Sequence, residues 1–433
     1  MNVRQEALSL LMLHEETDGY INLVLSDKAL EKAGSEAGFL TALVYGTVER
    51  KLTLDYATGV LAEREPGSLR PHTRHLLRMG LYELFFLKTK PYAAVNETVK
   101  LCKDKGEAGF VNAVLRSALK RDTLPLPSRD RYARFLSLRE SFPLPTVKCF
   151  IALFGEEKTE QLLSFFNQVS PLCLRLNPEK IDRNAYLSLL RENGYDASAT
   201  PFSPFGVRIS TPVSPKNLPG FAEGWFFVQD EASQIHTLAL NPQKGDLIVD
   251  VCACPGGKTF GAAWAAGEGD FYAFDLRESK LSLIKESAER LGLSVTVACV
   301  DGERGEPSLF GKAGRVICDV PCSGLGVLGK KPDLRYRKAA GDLPALQRRI
   351  LDTSARYVKD GGLLLYSTCT LLPEENEEQR RYFLDTHPDF TFADFSFGDR
   401  KSKEGEYLLT PFDTGTDGFY LAAFRKLKQP KKD

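Results

Sequence analysis

Two cysteines stand where apolar runs break into polar residues. Cys369 falls in "LLLYSTCTLLPEENE" and Cys322 in "DVPCSGLGV", three residues after Asp319. A thiol at the end of a strand is most often a small buried residue, and acts as a nucleophile only where its thiolate meets a ligand. Here the neighbours are Ser367, Thr368 and Thr370 in one stretch and Pro321, Ser323 and Gly324 in the other. Such polar, turn-forming surroundings argue against a core and for thiols presented on loops.

A third stretch, "CACPGGKT", supplies Cys252, Ala253, Cys254, Pro255, Gly256, Gly257 and Lys258. The paired glycines let the backbone approach a ligand closely, and the helix expected to follow offers free N–H groups. The spacing is neither a dinucleotide fingerprint nor a phosphate-binding P-loop. Asp275 lies about 25 residues beyond Asp250, where an acid reaches ribose hydroxyls. Asp301 and Asp319 each end a further apolar run. One strand-end aspartate is often a helix cap. Three in register around one glycine-rich loop suit a nucleoside that carries no phosphate. S-adenosylmethionine, with its amino-acid head, ribose, adenine and sulfonium charge, fits that set. Cys252 and Cys254 lack a second C-x-x-C or a nearby histidine, so no metal is expected.

The elements that must position these residues can be read from period and punctuation. "DLIVDV", "DFYAFDL", "SVTVACV", "RVICDV" and "LLLYST" are apolar strands separated by helical stretches such as "ESKLSLIKESAERLG". That alternation predicts a largely parallel, doubly wound α/β sheet over 236–428, whose ligands bind at the strands' carboxyl ends. The last hairpin, "YLLTPFDTGTDGFYLAAFRK", should close the sheet antiparallel, and "KLKQPKKD" should be a solvated, frayed end. Cys369 is followed by an acidic helix start at Pro373. Upstream, 1–122 reads as helices, with apolar residues at three- and four-residue spacing in "RPHTRHLLRMGLYELFFL" and "FVNAVLRSALK". Residues 123–144, rich in Pro and charge, read as a linker. Residues 145–235 mix short strands with the helix "RNAYLSLLRENG", a small α+β piece.

The chain has 433 residues and a formal net charge of zero, so no global positive field advertises nucleic acid. Local basic groups would have to serve: Arg70, Arg74 and Arg78 on one helical stripe, Lys100, Lys103 and Lys105, and "KKPDLRYRK", where Tyr336 could stack on a base. The start shows no signal-peptide pattern, and no apolar run reaches the roughly 20 residues that span a bilayer. A cytoplasmic monomer with nine thiols, not disulfides, is the expectation.

Taken together, "VQDEASQ", "DVCACPGGKT", "AFDLRESKL", "VDG", "DVPCSGLGV" with "KKPDLRY", and "YSTCTLLPEENE" resemble the RNA 5-methylcytosine methyltransferases of the Sun/NOL/NOP type. "AVNETVKLCKDKGEAGFVNAVLR" is similar to the NusB-like RNA-binding domain. The resemblance implies a Rossmann-like class I methyltransferase domain, an all-α NusB-like domain before it and a small α+β RNA-binding preamble between. It implies that Cys252 through Lys258, with Asp275, Asp301 and Asp319, contact S-adenosylmethionine. It further implies that Cys369 attacks carbon 6 of a cytosine, that Asp319 holds the cytosine edge and that Cys322 assists release. The substrate implied is 16S ribosomal RNA, at cytosine 967. Cys254 stands where the family usually has Ala. The helix after Cys369 would favour a thiolate while Glu374 and Glu375 would oppose it. Two rivals stand beside this reading: a transfer RNA 5-methylcytosine methyltransferase, and a non-catalytic RNA-binding assembly factor.

Overall fold

The structure, a computed structural model, describes residues 2–17, 19–337 and 341–428. It forms two compact units, Met1–Gln168 with Leu328–Arg337, and Val169–Val327 with Lys338–Asp433. Lys338 of "KKPDLRYRK" and residues 429–433 of the tail lie outside the described residues.

The first unit is helical: α1 (Val3–Thr17), α2 (Ile21–Val24), α3 (Asp27–Ala33), α4 (Ala37–Glu49), α5 (Lys51–Ala62), α6 (Pro71–Phe85), α7 (Pro91–Lys100), α8 (Lys105–Ala118), α9 (Tyr132–Glu140) and α10 (Leu144–Phe166). α8 shows why these segments are helices. Asp104 accepts the Glu107 N–H at 2.9 Å while the Glu107 carboxylate accepts the Lys103 N–H at 2.7 Å, a reciprocal cap. Val111, Val114, Leu115 and Ala118 then bury one face. The stretch expected as a linker, 123–144, contains α9, and the helical unit continues past 122 to Gln168. Proline and charge at the flanks masked Phe135, Leu136, Val147, Phe150 and Leu162, all of which are buried.

Leu328–Arg337 also folds with the helices. Arg335 is 3% exposed and donates to the carbonyls of Phe166 (3.0 Å) and Leu328 (3.3 Å) and to Asn167 Oδ1 (2.8 Å). Its guanidinium lies 3.9 Å from the centre of the Phe142 ring. Tyr336 donates its hydroxyl to the Glu49 carbonyl at 2.8 Å. The residues expected to touch RNA are therefore, in part, interior. Tyr336 is packed, and Arg335 holds carbonyls that would otherwise be buried unpaired.

The second unit begins with a four-stranded antiparallel sheet in the order β2-β3-β1-β4: β1 (Leu172–Leu176), β2 (Ala197–Ala199), β3 (Gly206–Ile209) and β4 (Phe226–Val228). α11 (Arg183–Glu192) packs against it, and Asp182 caps that helix by accepting the Asn184 and Ala185 N–H groups. α12 (Glu231–Leu240) leads into the large sheet: β5 (Asp246–Asp250), α13 (Gly257–Ala266), β6 (Gly269–Asp275), α14 (Leu281–Leu291), β7 (Thr296–Cys299), β8 (Ala313–Asp319), α15 (Leu343–Tyr357), β9 (Val358–Thr368) and α16 (Glu377–Thr386). It finishes with β10 (Phe390–Phe392), the small pair β11 (Ser396–Phe397) and β12 (Arg400–Lys401), β13 (Glu406–Leu409), α17 (Pro411–Thr414) and β14 (Phe419–Lys426).

The sheet order is β10-β14-β9-β8-β5-β6-β7, with β13 also on β14. β7, β6, β5, β8 and β9 are parallel, and β14 closes the sheet antiparallel, as the final hairpin predicted. Period-two alternation sends Val249, Val316 and Leu364 to a core under α15, and Ile248, Ile317 and Leu365 to one under α12 and α13. The central strands are apolar on both faces because both faces are covered. Among the described residues no helix is long and apolar enough to cross a membrane.

Arg335→Leu should cost the helical unit about 2–4 kcal/mol, because leucine leaves the Phe166 and Leu328 carbonyls unpaired. Urea unfolding followed by circular dichroism measures this, and a loss below about 1 kcal/mol contradicts the interior role.

Candidate active site

β5 lies between β6 and β8, so the order of the sheet reverses there and a crevice opens at the carboxyl ends. The residues picked out in the sequence gather at those ends. Asp250, Asp275 and Asp319 are the last residues of β5, β6 and β8, Asp301 follows β7, and Cys322 and Cys369 follow β8 and β9.

The loop after β5 is fixed by backbone geometry. Gly256 has φ +104°, and a Cβ there would lie 2.3 Å from the Phe260 ring. Only glycine meets both conditions. The Cys254–Pro255 peptide is cis. The Ala253 N–H donates to the Phe274 carbonyl at 2.7 Å, which ties the loop to β6. Asp275 accepts the Cys254 N–H at 3.3 Å on one oxygen and the Arg277 N–H at 3.0 Å on the other. A carboxylate has about four acceptor sites, so Asp275 keeps acceptor capacity beyond these two bonds. Asp301 accepts the Glu303 N–H at 3.0 Å and lies 3.6 Å from Arg304. Asp250 takes the Thr259 hydroxyl at 2.7 Å, and its other oxygen is buried without a partner. Burial pushes its carboxyl up to about 7. An orphaned acceptor beneath a glycine-rich loop, with the spare acceptor capacity of Asp275 beside it, fits a ligand that brings hydroxyl and ammonium donors. Burial also pushes the Cys252 thiol well above its ordinary range.

The thiols form the centre. Cys322 Sγ and Cys369 Sγ are 3.2 Å apart, and the Cys369 N–H points to Cys322 Sγ at 3.3 Å. The hydrogen bond with Cys369 and then burial hold the Cys322 thiol well above its ordinary range, so Cys322 keeps its proton. Beside the pair, Lys258 Nζ lies 2.6 Å from Asp319 Oδ2, and the Ser367 hydroxyl donates to Asp319 Oδ1 at 2.6 Å. Burial works against the Lys258 charge. The charge and hydrogen bond of Asp319 outweigh it, with Asp250 and Cys369 adding to the effect, so Lys258 stays protonated. A cation thus sits in the field of the Cys369 sulfur.

Gly326 lets the loops meet. Its N–H donates to the Cys369 carbonyl at 2.9 Å and its carbonyl accepts the Gly418 N–H at 2.8 Å. A Cβ there would lie 2.1 Å from the Gly418 oxygen. The acidic helix start expected at Pro373 is instead a 3₁₀ turn, Pro373–Glu375, and α16 begins only at Glu377. Dipole effects fade within one helical turn, so α16 is no source of thiolate stabilisation at Cys369. Glu375 turns inward and does not stand beside Cys369 as a bare opposing charge: it accepts the Ser323 N–H at 3.0 Å and Gln347 Nε2 at 2.8 Å.

Other expectations need correcting. Arg78 is buried, with two hydrogen bonds to Asp55 at 2.6 and 2.8 Å, and Arg74 is paired with Glu15 at 2.8 Å. Both are internal ion pairs of the helical unit. Arg70, Lys103, Lys105 and Lys331 are exposed, as is Lys100, which pairs with Glu97 at 2.7 Å. "VQDEASQ" proves to be a weld. Asp230 caps α12, and buried Glu231 accepts the N–H groups of Phe202 (2.6 Å) and Ser203 (2.9 Å) and Arg208 at 3.0 Å. Gln234 bonds the carbonyls of Leu174 (3.1 Å) and Gln229 (3.0 Å), which locks the four-stranded sheet onto α12. The Lys258–Asp319 bond, Ser367, Gln347 and Glu375 were missed as a constellation. The polar letters were visible, but their partners are distant in sequence.

Comparison with known proteins agrees with this architecture. Residues 237–425 match the family described as 16S rRNA methyltransferase RsmB/F. Residues 1–120 match the NusB family, and residues 143–215 match the ferredoxin-like domain of RsmF/B-like methyltransferases. The probable ribosomal RNA small subunit methyltransferase B of Synechocystis sp. is 35% identical over 98% of this chain and 100% of its own. That of Bacillus subtilis is 34% identical over 98% and 99%. The crystal structure of PH0851 superposes with a TM-score of 0.83 at 25% identity, covering 98% of each chain. A methyltransferase homologue from Pyrococcus horikoshii covers 67% of this chain and 98% of its own, with a TM-score of 0.58 and 28% identity. With a NusB-like helical unit, a ferredoxin-like piece and a Rossmann-like methyltransferase sheet in one order along one chain, this protein belongs to the ribosomal RNA small subunit methyltransferase B family of S-adenosylmethionine-dependent RNA methyltransferases.

Proposed function

We propose that this protein methylates carbon 5 of a cytosine in 16S ribosomal RNA, at position 967, through a covalent bond between Cys369 and carbon 6. The observation that carries the reading is the pair of sulfurs 3.2 Å apart beside the Lys258–Asp319 ion pair. Carbon 5 of cytosine is a poor nucleophile. A thiolate added at carbon 6 makes it enamine-like, so one hard step becomes two easier ones. S-adenosylmethionine supplies the methyl group on a sulfonium. Cys252 through Lys258, Asp275, Asp301 and Asp319 would hold it, with the open acceptors of Asp250 and Asp275 facing its donors.

Cys369 is the nucleophile. A free thiol has a pKa near 8.5. The protonated Lys258 beside it and the thiol proton of Cys322 both favour its anion. Asp319, held by Lys258 and Ser367, keeps acceptor capacity for the amino edge of the cytosine. When Cys369 bonds to carbon 6, its sulfur loses the charge that held the Cys322 proton. Cys322 can then release that proton to water and take the one on carbon 5. The electron pair of the C5–H bond re-forms the C5–C6 double bond, and Cys369 leaves as the thiolate. One proton in total goes to solvent for each methyl group transferred.

The target base must leave its stack to reach such a crevice. Among the exposed basic residues, Arg70, Lys103, Lys105 and Lys331 are proposed as contacts for RNA phosphates. The enzyme would act in the cytoplasm as a monomer.

Cys369→Ala should lower methyl transfer by about 1,000-fold or more; retained turnover removes the nucleophile assignment. Cys322→Ala should still attack but release slowly, giving an RNA-shifted band on denaturing gels, and its absence refutes the release role. Bisulfite sequencing of 16S RNA from a deletion strain should show cytosine 967 unprotected.

A further inference from the structure

A buried carboxylate stands behind Cys322. Glu375 is 2% exposed, and its Oε2 accepts both the Ser323 N–H at 3.0 Å and Gln347 Nε2 at 2.8 Å. Gln347, fully buried on α15, also donates to the Pro321 carbonyl at 2.9 Å. Pro321 and Ser323 are the two neighbours of Cys322, so the pair grips the peptide groups on both sides of that sulfur. The turn that carries Glu375 is itself pinned, since the Tyr366 hydroxyl donates to the Glu375 carbonyl at 2.7 Å. A second tie runs from the Ser323 hydroxyl to that of Thr370, at 2.7 Å, next to Cys369. On that loop, Asn376 bonds the Thr368 hydroxyl at 2.5 Å and the Thr370 carbonyl at 3.1 Å.

Burying a carboxylate is costly, and among the described residues Glu375 makes no ion pair with a lysine or arginine. A leucine would fill this interior more cheaply. What the polar pair provides is direction: four elements converge to hold one sulfur against another. We infer that Glu375 and Gln347 are positioning residues that keep the Cys322 sulfur over Cys369 for the release step. This rests on the roles proposed above for the two cysteines. A displacement of about 1 Å at a reacting group can cost about 100-fold in rate. Attack by Cys369 keeps the Lys258 charge when the grip is lost, whereas removal of the carbon 5 proton loses its base.

Glu375→Ala removes the acceptor, Glu375→Gln keeps an oxygen where Oε2 stood, and Gln347→Leu is an apolar replacement that frees the Pro321 carbonyl. Each full-length variant would be assayed with 16S RNA for turnover, for KM and for covalent adduct on denaturing gels, beside Cys322→Ala. Glu375→Ala and Gln347→Leu should lose about 10- to 100-fold in kcat with KM for S-adenosylmethionine within about twofold, and should accumulate adduct. Glu375→Gln should recover to within about threefold of wild type. If Glu375→Ala melts at the assay temperature, Gln347→Leu carries the test. Normal release in the assayed variants, or a fall in the first methyl transfer equal to the fall in turnover with no adduct, overturns the inference. An adduct in Cys322→Ala but in neither positioning variant refutes this inference alone. No adduct in any variant refutes the proposed chemistry beneath it.

Discussion

The parallel register of β8 and β9 is the constraint on which the meeting of Cys322 and Cys369 depends. Asp319 pairs with Ser367, and the Val320 N–H continues the ladder to the Ser367 carbonyl at 3.2 Å. Neighbouring strands lie about 4.8 Å apart. Two chains leaving such strands in register, one toward Cys322 and the other toward Cys369, therefore remain side by side for a few residues. The same pairing presents Ser367 to Asp319, and β5, on the far side of β8, brings Lys258 to it. A slip of one residue would turn every inward side chain outward and part the sulfurs. Both faces of these strands are buried, which fixes the register strongly.

The rest of the second unit protects that arrangement. Gly326 allows three backbones to meet at the Cys369 carbonyl, where a methyl group would collide with Gly418. Gln347 and Glu375 satisfy the peptides beside Cys322, and Asn376 holds the Thr368 hydroxyl and the Thr370 carbonyl on either side of Cys369. Farther out, Glu231 and Gln234 fasten the four-stranded sheet to α12. Buried polar residues under such loops rigidify only if each is satisfied, and most of these are. Gln234 Oε1 is one exception, and the buried oxygen of Asp250, at the start of the glycine-rich loop, is another.

Much of this was legible in the sequence because strands advertise themselves. Five apolar runs, four of them with an aspartate at or just past the end, were enough to place Asp275, Asp319, Cys322 and Cys369 on one face. What was not legible were pairings between distant segments. Arg74 and Arg78 share a helical stripe whether they face solvent or Glu15 and Asp55, and only the fold decides. Glu375 read as a charge opposed to Cys369, because its donors, Ser323 and Gln347, come from other elements. Arg335 and Tyr336 read as RNA contacts because "KKPDLRYRK" is basic; nothing local shows that the guanidinium caps the carbonyls of Phe166 and Leu328. The extent of the helical unit was hidden in the same way, since the prolines around α9 and α10 outweighed their buried Phe135 and Phe150 in the reading.

The central claim is that Cys369, and not Cys322, bonds to the base. RNA with 5-fluorocytidine at the target position tests it most directly, because fluorine cannot leave carbon 5 as a proton does and the adduct persists on the wild-type enzyme. Proteolysis and mass spectrometry of the trapped complex then identify the modified peptide. The account predicts a methylated nucleotide attached to the peptide that carries Cys369. Attachment at Cys322, or no covalent species under conditions that support turnover on ordinary RNA, would contradict it.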